Sequence, residues 1–252
     1  MIAALPMYDR PETAGANDRL WGQISSAFSD HGIHAPGELT RGEDVWDVWL
    51  SPNLCLAQTC GLPFRWRLHD KVSLVATPIH PVSKTPGFYH SVLVAQAGDD
   101  RGIDAFDGAT IAVNEGRSQS GWAAPVAFFD ARKLQIGRVT LSGAHINSAR
   151  MVATGRADIA ALDVVSWNLI QRYDVFAKDL RVVAETDETP ALPYITSLTQ
   201  DHATMATAMA DAIGALCVDD RETLLLDGVT QIPAERYLAV TTPEPPQAEN
   251  GD

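Results

Sequence analysis

Thr110-Ile111-Ala112-Val113-Asn114-Glu115-Gly116-Arg117-Ser118-Gln119-Ser120-Gly121-Trp122 is the stretch on which the fold of this chain turns. Residues 110–113 read as a short buried strand, and residues 121–133 read as a helix. Between them stand two good helix-capping residues, Ser118 and Ser120. A strand that turns directly into a helix is the unit of an α/β sheet. The first N–H groups of such a helix point into the crevice at the carboxyl end of the strand, where α/β sheets bind ligands. Those N–H groups and two hydroxyls suit an oxyanion without a fixed positive charge. An ordinary capped helix explains the same residues. So does a nucleophile elbow, from which Gly116-Arg117-Ser118-Gln119-Ser120 departs by carrying Ser120 where the final glycine belongs.

The alternation continues on both sides. Upstream, residues 2–5, 54–58, 72–77 and 88–95 read as strands, and residues 17–28 carry Leu20, Trp21, Ile24 and Phe28 at helical spacing. Downstream, strands are expected at 138–141, 159–162 and 180–184, with helices at 145–154 and 164–173; Gly155 is placed to cap the first of these helices. Residues 189–194, Thr-Pro-Ala-Leu-Pro-Tyr, read as an extended crossing segment, because residues before proline avoid the helix. A strand at 195–198 and a helix at 202–216 follow. The pattern implies an α/β chain of two lobes, each a mostly parallel sheet flanked by helices. The first lobe is expected over 1–92 plus 190–252, with 242–252 as a disordered tail, and the inserted second lobe over 93–189. A discontinuous first lobe implies two crossings and hinge closure over a cleft.

Composition bounds the function. The chain has 252 residues, 46% apolar, enough for a sizeable core. A formal net charge of −13 opposes nucleic-acid binding but leaves room for a small anion read by local dipoles. Cys55, Cys60 and Cys217 are no disulfide framework; a Cys55–Cys60 bridge is the alternative to buried thiols. No apolar run reaches the about 18–20 residues of a membrane span. The N-terminus lacks the basic and apolar regions of an export leader, so a cytoplasmic or a mature exported form is expected.

A second junction, Ser142-Gly143-Ala144-His145, again leads from strand to helix, with His145 in the first turn. Asp163 stands at the carboxyl end of the next strand. Either residue alone reads as a cap or a surface group, but together at successive strand ends they point to a site. His31 and His34 lack a metal-binding pattern, and no metal or cofactor is expected. Trp46, Trp49 and Trp66 read as core or cleft wall.

Four of these stretches, Phe88–Val94 with Tyr89, Ser118-Gln119-Ser120-Gly121, Gly143-Ala144-His145 and Ala157–Asp163, resemble the phosphate/phosphite/phosphonate substrate-binding proteins of ABC importers, with their type II periplasmic-binding fold. The resemblance implies an anion-binding turn at Ser118, Gln119, Ser120 and Gly121. It also implies an oxyanion contact from His145, an aromatic contact from Tyr89 and an acid at Asp163. Tyr8 is expected to close the cleft from the first lobe. Gln119 replaces the family's usual threonine, and Trp122 replaces a smaller residue. The implied function is capture of a small anionic solute for an ABC permease in the periplasm, as a monomer that catalyses nothing. A cytoplasmic enzyme on the same fold and a ligand-sensing module are the alternatives.

Overall fold

The computed structural model describes residues 1–247. The chain divides into two compact units, the first formed by Met1–Phe88 with Pro190–Ala239 and the second by Tyr89–Thr189 with the segment from Val240 onward. Strands β1 (Ile2–Ala4), β2 (Leu54–Gln58) and β3 (Val72–Ile79) begin the first unit, with helices α1 (Ala14–Asp30), α2 (Val45–Trp49) and α3 (Gly61–Pro63). Strand β4 (Phe88–Tyr89) carries the chain across. The second unit contains β5 (Ser91–Gln96), β6 (Ile111–Val113), β7 (Val139–Leu141), β8 (Ile159–Asp163) and β9 (Leu180–Glu185). Its helices are α4 (Ala124–Ala131), α5 (His145–Ala153) and α6 (Val164–Tyr173). The chain returns at β10 (Thr189–Pro190) to add β11 (Tyr194–Ser197), α7 (His202–Gly214), α8 (Val218–Leu224), β12 (Gly228–Thr230) and α9 (Ala234–Leu238).

Each unit is built on one five-stranded sheet, β1-β2-β11-β3-β12 in the first and β7-β6-β8-β5-β9 in the second. Both are α/β and both are mixed. In the second unit β6 runs parallel to β7 and β8, while β5 runs against β8 and β9. In the first unit β1 and β2 are parallel, and β11 runs against both β2 and β3. The cause is connectivity. Strands β5 and β11 follow directly on a crossing and enter their sheets from the end opposite to that used by strands fed from helices.

Residues 88–95, expected as one strand, are interrupted at His90. The carbonyl of His90 accepts from the N–H of Val164, at the start of α6, so it does not continue a ladder. The strands at the centres of the sheets are buried along their whole length, Leu54–Gln58 and Ile159–Asp163 among them. In the first unit, α1 turns Leu20, Trp21, Ile24 and Phe28 onto Met205, Met209 and Ile213 of α7. The second unit packs Leu93, Phe106, Ile111, Phe128, Phe129 and Ile159 into a separate core. Cys55, Cys60 and Cys217 form no disulfide.

The segment expected to be disordered from residue 242 is described as far as Gln247. The Trp122 indole N–H donates to the Glu244 carbonyl at 2.7 Å. Pro246 lies so close to Gly116 that a Cβ there would meet its Cδ at 2.8 Å. A buried indole N–H needs an acceptor, and this backbone supplies one. Residues 248–252 lie outside the described residues.

Candidate functional site

The turn between β6 and α4 is a single π-helical turn, Gln119–Ala123, rather than a plain α-helical start. Both Trp122 N–H and Ala123 N–H donate to the Ser118 carbonyl. Ser118 is the N-cap, and its Oγ accepts from Gly121 N–H at 3.0 Å. The N–H of Ser120, in the first turn, has no intrahelical acceptor. Only glycine fits at position 121: a Cβ there would lie 1.8 Å from Asn114 Oδ1. That oxygen is itself buried and has no hydrogen-bond partner among the described residues. Widened π turns recur at functional sites because they re-aim a few side chains within an otherwise regular helix.

Around this turn the second unit gathers neutral polar groups. Ser120 Oγ lies 2.9 Å from His145 Nε2 and 3.5 Å from Ser118 Oγ. His145 opens α5 behind Gly143, whose φ of +82° needs a residue without a side chain. Burial pushes the His145 pKa down to about 4, and the backbone of Ala161 offsets part of that, so the ring is neutral at pH 7. Ser91, the first residue of β5, donates from Oγ to the Ser120 carbonyl at 2.9 Å and so braces the turn from the next strand but one. Ser118, Gln119 and Ser120 are buried.

The structure thus brings Ser118, Gln119, Ser120, Gly121 and His145 together, and it places Asp163 differently. Asp163 caps α6: its Oδ1 accepts from Val165 N–H at 2.7 Å and Ser166 N–H at 3.0 Å. It sits opposite Ser91 in the register of β5 and β8, at the same sheet edge as the turn. Tyr89 is buried where the chain crosses into the second unit. Tyr8 belongs to the first unit, where its ring meets that of His80 edge-on at 5.6 Å.

Two of the cavities formed by the described residues lie within the first unit. The larger, about 220 Å³, is lined by Leu5, Leu39, Arg41, Glu43 and Trp49 among others. Its arginine is held by Asp9 at 2.6 Å and Asp18 at 2.8 Å, so its charge is already answered. The smaller is lined by Tyr8, Asn17, Gln58, His80 and Tyr194. Among the described residues no group of three or more His, Cys, Asp or Glu is arranged to hold a metal ion. No helix among them is long and apolar enough to cross a membrane.

A family model described as "ABC transporter, phosphonate, periplasmic substrate-binding protein" matches residues 57–236. The chain belongs to this family. Among solved structures, PhnD1 from Prochlorococcus marinus in complex with methylphosphonate superposes with a TM-score of 0.72 at 13% identity, covering 94% of each chain. XAC2383 from Xanthomonas citri, solved with chloride and with ATP, gives TM-scores of 0.70 and 0.69 at 14% identity over 94% of each chain. A binding-protein component of an ABC phosphonate transporter from Pseudomonas aeruginosa gives 0.63 at 15% identity, covering 89% of this chain and 77% of that one. No curated protein matches the sequence significantly. The phosphonate-binding family is one of substrate-binding transport proteins, not of enzymes, and its two-lobed α/β fold is the fold of this chain.

Three groups of this phosphonate-binding family member escaped the sequence reading. Ser91 reaches the turn only through strand register, which no local pattern reveals. Asn114 did carry a signal, as a polar residue directly at the carboxyl end of a buried strand. His80 stands in the same relation to β3.

Proposed function

We propose that this protein captures a small oxyanion, a phosphonate, phosphite or phosphate ester, for uptake through an ABC permease. The observation that carries the reading is the convergence of Ser118, Ser120 and His145 on one π-helical turn in a chain of the phosphonate-binding family. Oxyanions are held well by hydroxyls and open helix N–H groups, which need no fixed charge. A neutral histidine can donate or accept there, so the turn tolerates ligands in more than one protonation state. Gln119, Gly121 and Tyr89 complete the surface around the turn, and Tyr8 is a further residue proposed to contact the solute. Asp163 acts through the start of α6, and its charge selects a ligand that keeps a proton or carries an amine. The family description places such proteins in the periplasm, and that is the compartment proposed here.

Native mass spectrometry of freshly purified protein tests this. The expected result is one bound small molecule per chain, released by acid and bearing a phosphorus oxyanion. A bound molecule with no oxyanion, under conditions where phosphonate and phosphate fail to replace it, would overturn the reading.

A further inference from the structure

The anion turn is held from outside by the segment that follows α9. From Val240 onward the chain belongs to the second unit, although α9 belongs to the first. The segment contains Pro243-Glu244-Pro245-Pro246, and residues 241–247 form neither helix nor strand. A residue before proline avoids the helix, so Thr242, Glu244 and Pro245 are all confined to extended conformations. Such a run is stiff before it docks, and its carbonyls have no partner within the run. Tryptophan is suited to receive it, because the ring packs against proline while the indole N–H meets a carbonyl.

Two contacts fix this segment, one on each side of the turn. On the far side, the indole N–H of the buried Trp122 donates to the Glu244 carbonyl at 2.7 Å, across 122 positions of sequence. On the near side, Gly116 meets Pro245 and Pro246. The three atoms nearest to a Cβ at position 116 all come from these two prolines, at 2.8, 3.3 and 3.8 Å. The φ of Gly116 is not positive, so its own backbone conformation does not call for glycine; the close approach of the prolines does. Positions 116 and 122 bracket Ser118, Gln119, Ser120 and Gly121. Trp122 is also part of the turn itself, since its main-chain N–H and that of Ala123 both donate to the Ser118 carbonyl. A turn anchored on both flanks holds its donors in one arrangement before the ligand arrives. Preorganisation of this kind raises affinity without adding a contact to the ligand.

We propose that residues 243–246 are a positioning element of the anion site, a strap whose docking on Gly116 and Trp122 sets the affinity of the turn at 118–121. The proposal rests on the oxyanion reading above and goes beyond it, because the strap acts through the flanks of the turn and not on the solute. Linkage then requires reciprocity: if docking the strap tightens the ligand by some factor, the ligand tightens the strap by the same factor. A segment that merely covered the surface would add to stability and show no such coupling.

Calorimetric titration with methylphosphonate, phosphite and phosphate tests it by comparing the full chain with one stopped after Thr242, which keeps every helix and strand described above. Whichever of the three the full chain binds, the shortened chain is expected to bind about three- to tenfold more weakly, the worth of about one hydrogen bond. Gly116→Ala is the control. In the full chain its methyl group meets Pro246 and displaces the strap, so a similar loss of affinity is expected; in the shortened chain it is expected to change nothing. Hydrogen exchange of the Trp122 indole N–H, followed by NMR in the full chain, reads the reciprocal effect. A saturating ligand is expected to slow it by the same factor, about three- to tenfold. Equal affinities of the two chains, a Gly116→Ala effect that is absent from the full chain or equal in both, or an exchange rate that ignores the ligand, overturns the proposal and leaves the strap as surface packing, with the oxyanion reading intact. Failure of all three ligands on the full chain overturns the oxyanion reading and this proposal together. If the shortened chain does not fold, Gly116→Ala in the full chain and the indole exchange decide. Weaker binding together with ligand-slowed exchange supports the proposal; affinity within twofold of the wild type, or exchange that the ligand leaves unchanged, refutes it.

Discussion

Ser120→Ala separates two roles that the geometry gives to one hydroxyl. Alanine keeps the Cβ and removes only Oγ, which lies 2.9 Å from His145 Nε2 in a buried position. The change deletes one hydrogen bond and leaves the imidazole nitrogen facing a methyl group. An orphaned buried partner costs about 1–3 kcal/mol, so the variant should unfold at lower urea concentration by that margin, with an unchanged m-value. The second role is to donate to a charged oxygen, which is worth about 1.5–3 kcal/mol, or about 10- to 150-fold in affinity. Calorimetry with methylphosphonate reads it. Ser118→Ala is the comparison. Its Oγ already accepts from Gly121 N–H at 3.0 Å, so its loss costs about 1 kcal/mol of helix capping. If Ser120→Ala loses stability but binds within twofold of the wild type, the hydroxyl is only a strut for His145, and the anion sits elsewhere.

The close approach of Asn114 to Gly121 makes a coupled pair. Gly121→Ala should destabilise by about 2–4 kcal/mol in chemical denaturation, because Asn114 Oδ1 occupies the place of the new Cβ. Asn114→Ala in the same chain should recover about 0.5–3 kcal/mol of this, and strict additivity would contradict the packing described. Acid should weaken the fold in a defined window. His80 and His145 are both held at about 4, against about 6.5 when unfolded, so between those values the unfolded chain binds more protons. Stability is complete above about pH 6.5 and falls as pH drops towards 4. The loss is on the order of 2–3 kcal/mol for His80 and smaller for His145, which as a whole residue is only half-buried. Urea midpoints that stay flat from pH 7 to pH 4.5 would contradict the burial of both rings.

The fold was legible wherever a segment was long enough to show its period. Leu20, Trp21, Ile24 and Phe28 marked α1, and apolar runs ending in Gln58 and Asp163 marked β2 and β8, because burial on one face or on both leaves a trace in sequence. The short elements left none: α2 has five residues and β12 three, and tertiary packing rather than pattern forms them. Strand direction was hidden for a similar reason. A buried antiparallel strand such as β5 has the same apolar composition as its parallel neighbours, so only the crossing just before it explains its reversal. The anion turn was readable because capping serines between strand and helix are a local feature. The π turn depends on how Asn114 packs against Gly121, and the bracing by Ser91 depends on register, so neither was readable. His80 lacked a motif because its partner, the carbonyl of Leu225, lies 145 positions away.

Phosphorus-31 NMR during titration of the wild-type protein with methylphosphonate, phosphite and phosphate tests the central claim most directly. It reports binding and any chemical conversion in one experiment. The account predicts that at least one of these ligands gives a shifted signal saturating at one equivalent, that displacement returns the same compound unchanged, and that the Ser118→Ala/Ser120→Ala double variant no longer shifts it. No shifted signal from any of the three, a new phosphorus species accumulating with time, or an undiminished shift in the double variant would contradict it.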